Sequence, residues 1–284
     1  LLFGGIMAAG GEPVLISVIL GWIAVATLVL VTGHLAHRCL AGWGAVIAGV
    51  FVALDAQMIL EGVEGLETVA YACMITAGLL ATWRDDSSVR GPLWFSLASL
   101  TRPEAPLLWA GSQLAVSIRD GFSVERLSRA LRSSWPIVLT LTLLTFWRLQ
   151  YYGDWLPNTF YAKTGGFAVG RGLAYIGQHV LSHPVLWLLA MGALTIRGLR
   201  PLGAVVVLVL VYILAVGGDF KPTGRFVIPV LPILAVMAAG SVQVMWSHAV
   251  VRKTVLPVLA ILFCWARWEQ YGLAQDWAAE RHAN

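Results

Sequence analysis

Charged side chains are scarce: Asp, Glu, Lys and Arg make up 12% of the 284 residues, where a soluble domain carries about 25%. So little charge excludes an ordinary water-facing globule. Cysteine is scarce too. Cys39, Cys73 and Cys264 lie within or at the ends of apolar segments and form no CxxC pair, so neither a disulfide framework nor a zinc site is indicated. They read as packing residues. No P-loop, GxGxxG, HExxH or GxSxG element occurs, which leaves nucleotide use unsupported. Low-complexity tracts, a soluble domain and an internal repeat are also lacking. The chain opens at Leu1 without a charged n-region or a small-residue cleavage site, so no targeting signal is visible.

What is abundant is apolar. Hydrophobic residues reach 58% and mean hydropathy is +0.78, which makes lipid the solvent. Most of the Trp residues, among them Trp22, Trp43, Trp83, Trp135, Trp187, Trp246 and Trp265, sit near the ends of apolar runs, where indole rings anchor at headgroup level. Others pack between helices. The net charge of +4 is spread through short loops rather than concentrated on one domain, so topology explains it better than a nucleic-acid partner does.

A bilayer core of about 30 Å needs about 20 apolar residues as helix. By that measure spans fall near 13–32, 41–60, 67–83, 135–151, 181–196, 201–217, 226–247 and 254–268, and with 91–118 the total is nine or ten membrane helices. Residues 91–118 are interrupted at the centre by Thr101-Arg102-Pro103-Glu104. The positive-inside rule decides their threading. If 91–118 is a hairpin of two half-length helices, eleven Arg and Lys collect on one side and five on the other; a single crossing would erase that asymmetry. The sequence therefore predicts a re-entrant hairpin, with Arg38, Arg84, Arg90, Arg119, Arg126, Arg129, Arg132, Arg197, Arg200, Arg252 and Lys253 on the cytoplasmic side. On that side 123–132 puts Val124, Leu127 and Leu131 on one face and three Arg on another, an interfacial helix touching anionic lipid. In the long outer loop, Leu173, Ile176 and Val180 predict a second surface helix. The fold class is all-α: a polytopic membrane helix bundle with a re-entrant hairpin and interfacial helices.

With that topology the remaining ionisable residues converge on the outer face in four groups. Glu61, Glu64, Glu67 and Thr68 form a tight acidic turn that either caps a helix or, for Glu67 above all, borders a cavity. Arg102 and Glu104 occupy the hairpin tip, where ionisable groups at membrane depth are functional candidates by default; the alternative is a self-satisfied pair that stabilises the turn. An open Arg fork suits phosphate. The run from Tyr151 to Lys163 combines aromatics with Asp154, Asn158 and Lys163, suited to sugar stacking and phosphate binding, or else to an aromatic belt with a snorkelling Lys. Gly217-Gly218-Asp219 through Gly224-Arg225-Phe226 offers paired glycines for close backbone approach with more charge than a turn requires. His179 and His183, at i and i+4, could share a metal, but no carboxylate accompanies them locally. His34 and His37 add weak positive charge at a cytoplasmic helix end.

At Gly65-Leu-Glu-Thr68, Leu100-Thr-Arg-Pro-Glu104, Tyr152-Gly-Asp-Trp-Leu-Pro-Asn-Thr-Phe-Tyr-Ala-Lys163 and Gly217-Gly-Asp-Phe...Gly-Arg-Phe226 the sequence resembles the GT-C class of multi-spanning glycosyltransferases. Within it the chain looks most like the mycobacterial terminal arabinofuranosyltransferase family and its bacterial relatives. The resemblance implies transfer of a sugar from a polyprenyl-phosphate donor to a glycan, lipid or protein acceptor of the cell envelope. It also implies a multi-pass protein of the plasma or inner membrane whose site faces the periplasm or exterior, with no nucleic-acid partner. Arg102, Lys163 and Arg225 are then expected on the donor phosphate, and Asp154, Asn158 and Asp219 on sugar or acceptor hydroxyls, with Asp219 and Asp154 as candidate bases and Glu67 and Glu104 as further binding residues. No protein metal site or cofactor is assigned; the need for a divalent metal is open. The family's catalytic Asp lies in a first outer loop, and residues 1–12 supply none. The expectation is a single transmembrane domain over 1–284 that lacks an N-terminal span and that loop. A transporter or flippase of a lipid-linked anionic sugar is the alternative.

Overall fold

The structure, a computed structural model, describes residues 12–64, 67–155, 169–219 and 224–283. Among these residues almost all backbone is helical and no strand occurs. The α-helices are α1 (Pro13–Cys39), α2 (Gly44–Ala53), α3 (Ala56–Val63), α4 (Thr68–Arg84), α5 (Arg90–Ser99), α6 (Ala105–Asp120), α7 (Val124–Ser133), α8 (Trp135–Tyr152), α9 (Val169–Ser182), α10 (Pro184–Gly192), α11 (Arg200–Val216), α12 (Leu231–Ser247) and α13 (Ala249–Ala283). Proline opens several of them within the first turn, where its missing N–H leaves no hydrogen bond unmade.

The core forms around α12, whose first eleven residues, Leu231 to Ser241, are all buried. Small residues let neighbours approach: Gly240 faces Leu199 and Leu40, and Gly192 faces Ser241. Around this centre α1, α2, α10 and α13 pack, while α4 joins α1 to the hairpin helices α5 and α6.

Among the described residues three helices are long and apolar enough to cross a membrane: α1 over Val14–Cys39, the 3-10 turn Ile228–Val230 plus α12 over Ile228–Ser247, and α13 over Ala249–Gly272. The pair α2 and α3, bent by 56° at Leu54-Asp55, makes a fourth if counted as one span. This is fewer than nine or ten. The predicted span 41–60 is broken, and α4 and α11, at 17 residues each, reach only about 26 Å, short of a bilayer core of about 30 Å. The expectation rested on apolar length alone, whereas helix ends are set by Asp85 after α4 and by glycines in left-handed conformation after α8 and α11.

The hairpin forms. Gly78 of α4 meets Phe95 and Gly91 meets Thr82, so α5 runs antiparallel to α4. Arg102 meets Thr68 and Arg119 meets Trp83, so α6 runs parallel to α4 and therefore back along α5. Its tip, residues 100–104, lies beside the start of α4. Gly111 packs on Val205 and Leu208, and Gly172 on Ile213 and Leu214, which carries the end of α11 and the helix α9 to that same end. At the opposite end Arg126 reaches Asp86, Gln243 reaches Ala41, and Arg252 lies over Trp246. The two ends thus separate the residues as the charge asymmetry predicted.

Both expected surface helices are present as α7 and α9. Val124, Leu127 and Leu131 are exposed, and Ser123 caps α7 by accepting from the Arg126 N–H. Cys39 and Cys73 are partly buried, as packing residues should be, but Cys264 is exposed on α13.

Candidate functional site

Two polar networks lie at the end that holds the hairpin tip. The first is built on Arg102, Arg225, Glu67 and Thr68. Arg102 is buried because its tip position drives the side chain against α4, over the ring of Tyr71 at 5.4 Å. Its Nη2 donates to Thr68 Oγ1 at 3.0 Å, and Arg225 Nε donates to the same hydroxyl at 3.0 Å. Glu67 Oε1 accepts from Arg225 Nη2 and stands 3.4 Å from Arg102 Nε. Longer ion pairs close the ring: Arg102 Nη1 to Glu104 Oε1 at 3.6 Å and Arg225 Nη1 to Asp219 Oδ2 at 3.8 Å.

Two cations forced onto one hydroxyl and one carboxylate would repel each other were they not flanked by acid. Glu67, Glu104 and Asp219 outnumber them. Burial alone would raise the carboxyl of Glu67, but its own backbone N–H and the guanidinium groups of Arg225 and Arg102 overcome that and hold it below the usual carboxylate range. Arg102 Nη1 is buried and has no hydrogen-bond partner among the described residues. A guanidinium N–H without an acceptor in a low-dielectric site is costly and is a ready donor to an anionic oxygen.

The capping reading of the acidic turn is met in position but not in side-chain bonding. Glu67 occupies the N-cap of α4 without a side-chain cap bond, Glu64 ends α3, and the Thr68 hydroxyl is taken by the two Arg. Glu61 is fully buried, with Tyr175 in its electrostatic reach. The third group does not join the network as far as it is described: Asp154 is exposed on the turn after α8, while Asn158 and Lys163 lie outside the described residues. Tyr151 stacks on Trp147 and Tyr152 meets it edge-on, all on an exposed face, which fits the aromatic-belt alternative. In the fourth group, Gly217, Gly218 and Gly224 all have positive φ. Gly218 meets the ring of Tyr175, and a Cβ on Gly224 would stand 2.5 Å from His179 Cδ2, so both conformation and space demand glycine.

The second network was not read from the sequence. Asp55, at the break between α2 and α3, is 1% exposed. It accepts from Arg267 Nη1 at 2.7 Å, from His183 Nε2 at 3.0 Å and from the Met58 N–H at 2.9 Å. Gln270 Oε1 takes a second bond from Arg267 at 2.7 Å. The His179 and His183 rings stack at 4.2 Å. Trp187 Nε1 donates to His179 Nδ1 at 3.0 Å; an indole N–H can only donate, so that nitrogen is the bare one. Burial and the neighbouring His183 push His179 well below its ordinary range. Three of the four ring nitrogens are engaged, His179 Nδ1 by Trp187, His183 Nε2 by Asp55 and His183 Nδ1 by the His179 carbonyl. That leaves His179 Nε2 alone without a hydrogen-bond partner among the described residues, and among those residues no group of His, Cys, Asp and Glu could hold a metal. The signal for this network was present: an Asp inside the predicted span 41–60 and an Arg at the end of 254–268, both costly in lipid unless paired.

No protein-family model, characterised protein or solved structure matches the chain. The two networks meet at one short stretch. Gly224 abuts His179 and Gln57, Arg225 holds Glu67 and Thr68, and the Phe226 N–H donates to Tyr175 Oη at 3.0 Å.

Proposed function

We propose that the protein is a membrane glycosyltransferase of GT-C type that moves a sugar from a polyprenyl-phosphate donor to a cell-envelope acceptor on the non-cytoplasmic face. The observation that carries the reading is Arg102: a buried guanidinium, pinned by Thr68 and Glu67, whose Nη1 has no hydrogen-bond partner among the described residues and lies beside a second Arg. Its pair with Glu104 and that of Arg225 with Asp219, at 3.6 and 3.8 Å, are loose enough to yield to a phosphate oxygen. As the glycosidic C–O bond breaks, negative charge grows on the departing phosphate, and fixed cations in a dry site stabilise it. In this reading Asp219, with its side chain 2% exposed beside Arg225, accepts the proton of the attacking hydroxyl. Lys163 would add charge at the phosphate, and Asn158 and Asp154 would bind hydroxyls.

A second reading, transport of a lipid-linked anion, has its own observation. Broken helices with charged groups at the break are a transporter device, and the α2–α3 bend places buried Asp55 at such a break in addition to the hairpin.

The deciding experiment supplies radiolabelled polyprenyl-phosphate sugar to proteoliposomes. Transfer to acceptor that is lost on combined Arg102→Ala and Asp219→Ala substitution is the expected outcome. Transfer that survives both substitutions refutes the site, and donor crossing the bilayer without transfer favours the transporter.

A further inference from the structure

The end of the molecule opposite the site carries a feature that the reaction does not use. Helices α1 and α2 form an antiparallel pair, Gly33 against Ala45 and Gly49 against Val29. Small residues at these crossings leave the outer side of the pair hollow. A groove of about 500 Å³ runs there, lined by Val29, Leu30, Gly33, Val46, Gly49 and Val50 among others, with His34 and His37 as its polar members. Leu30, Val46 and Val50 are exposed along it. From Val29 to His37 it follows α1 for about 12 Å, close to the depth of one leaflet in a core of about 30 Å.

Its mouth is at the Arg-rich end. Arg38, exposed, follows His37 directly. His34 Nδ1 donates to the Leu30 carbonyl at 2.9 Å, which leaves its Nε2 toward the outside. Trp43 stacks edge-on against Trp246 with ring centroids 5.3 Å apart, and Arg252 lies over Trp246; paired indoles with a cation mark headgroup level. An apolar slot of leaflet depth with two imidazoles in its lining and a cation one residue beyond them suits the shape and charge of a diacyl lipid with an anionic head. We propose that this groove holds one acyl chain of an anionic phospholipid, its phosphate facing Arg38, His34 and His37.

The test uses the full chain in nanodiscs of phosphatidylglycerol and phosphatidylcholine mixed equally, with bound lipid counted by native mass spectrometry after release. One retained phosphatidylglycerol is expected, favoured over phosphatidylcholine by about fivefold, the worth of one cation at a headgroup. Gly49→Leu, whose Cβ would meet Val29 at an ordinary 3.5 Å, and Val50→Trp, from the exposed rim, should each fill the slot and release lipid of both kinds. Combined Arg38→Gln and His37→Gln should keep a lipid but erase the preference. Equal retention of the two lipids by the unsubstituted protein overturns the proposal, as does wild-type retention in the Gly49→Leu and Val50→Trp proteins. Should both of those proteins misfold, the headgroup preference of the unsubstituted chain and its loss with Arg38 and His37 still decide. The outcome is independent of sugar transfer, which takes place at the other end.

Discussion

Replacing Asp55 by Ala removes the acceptor shared by Arg267, His183 and the Met58 N–H. Three losses follow. Arg267, 6% exposed, keeps its charge but not its counter-ion, and breaking a buried pair from one side costs about 3–5 kcal/mol. The first turn of α3 loses its cap, worth about 1 kcal/mol. His183 loses the partner of Nε2. These overlap, so about 4 kcal/mol is a fair total, a large share of a folding stability of about 5–15 kcal/mol. At about 2–4 °C per kcal/mol, the midpoint of thermal unfolding should fall by roughly 10 °C. Asp55→Asn keeps the cap, since Asn caps as well as Asp, and should lose about half as much. The informative protein is the double variant Asp55→Leu with Arg267→Met. It removes both charges, and matched apolar replacement of a buried pair is often neutral, so it should recover most of the loss. The assay is thermal unfolding in mild detergent followed by size-exclusion fluorescence. An Asp55→Ala protein as stable as the parent would refute the reasoning, and so would a double variant whose loss equals the sum of the two single losses.

Arg102→Lys keeps the charge but loses the fork that spans Thr68 and Glu67, so donor affinity should fall about 10- to 100-fold, as expected for one or two hydrogen bonds to a charged group; filter binding of labelled donor checks it. Gly224→Ala must hold φ +69° and press on His179, costing more than about 1 kcal/mol, whereas Gly170→Ala, with open space around it, should leave the unfolding midpoint unchanged or higher. Glu67 has a lowered folded-state value, so its contribution to stability is complete above the unfolded carboxylate range and is lost as pH falls through the folded one. The stability difference between the parent and Glu67→Gln should therefore be constant from pH 6 to 8 and shrink only below about pH 4.3, read from unfolding midpoints across pH. Single cysteines at positions 87 and 154, in a background without the native three, should react with an impermeant maleimide from opposite faces of sealed vesicles; reaction from one face would undo the two-ended arrangement.

The hairpin was legible in the sequence because a proline between two ionisable residues cannot continue a helix in lipid, and because only a return of the chain keeps eleven basic residues together. Helices α7 and α9 were legible from periodicity. The role of Thr68 was not legible: a hydroxyl before an apolar run fits a cap equally well, and nothing local shows that Arg102 and Arg225, 34 and 157 residues from Thr68, compete for it, while Glu67 does take the N-cap position without a side-chain cap bond. Asp55 and Arg267 were hidden inside apolar runs, where residue type gives a warning but no partner.

The sequence by itself determined the solvent, the helical class, the two-ended distribution of charge and the gathering of Glu67, Arg102, Asp219 and Arg225 at one end, because burial of apolar surface and the cost of charge in lipid act on each segment wherever it packs. The pairings were decided only in three dimensions. Which carboxylate meets which guanidinium, where a span breaks, and which histidine nitrogen is left bare depend on distances between segments 128 or 212 residues apart, and no local rule encodes those.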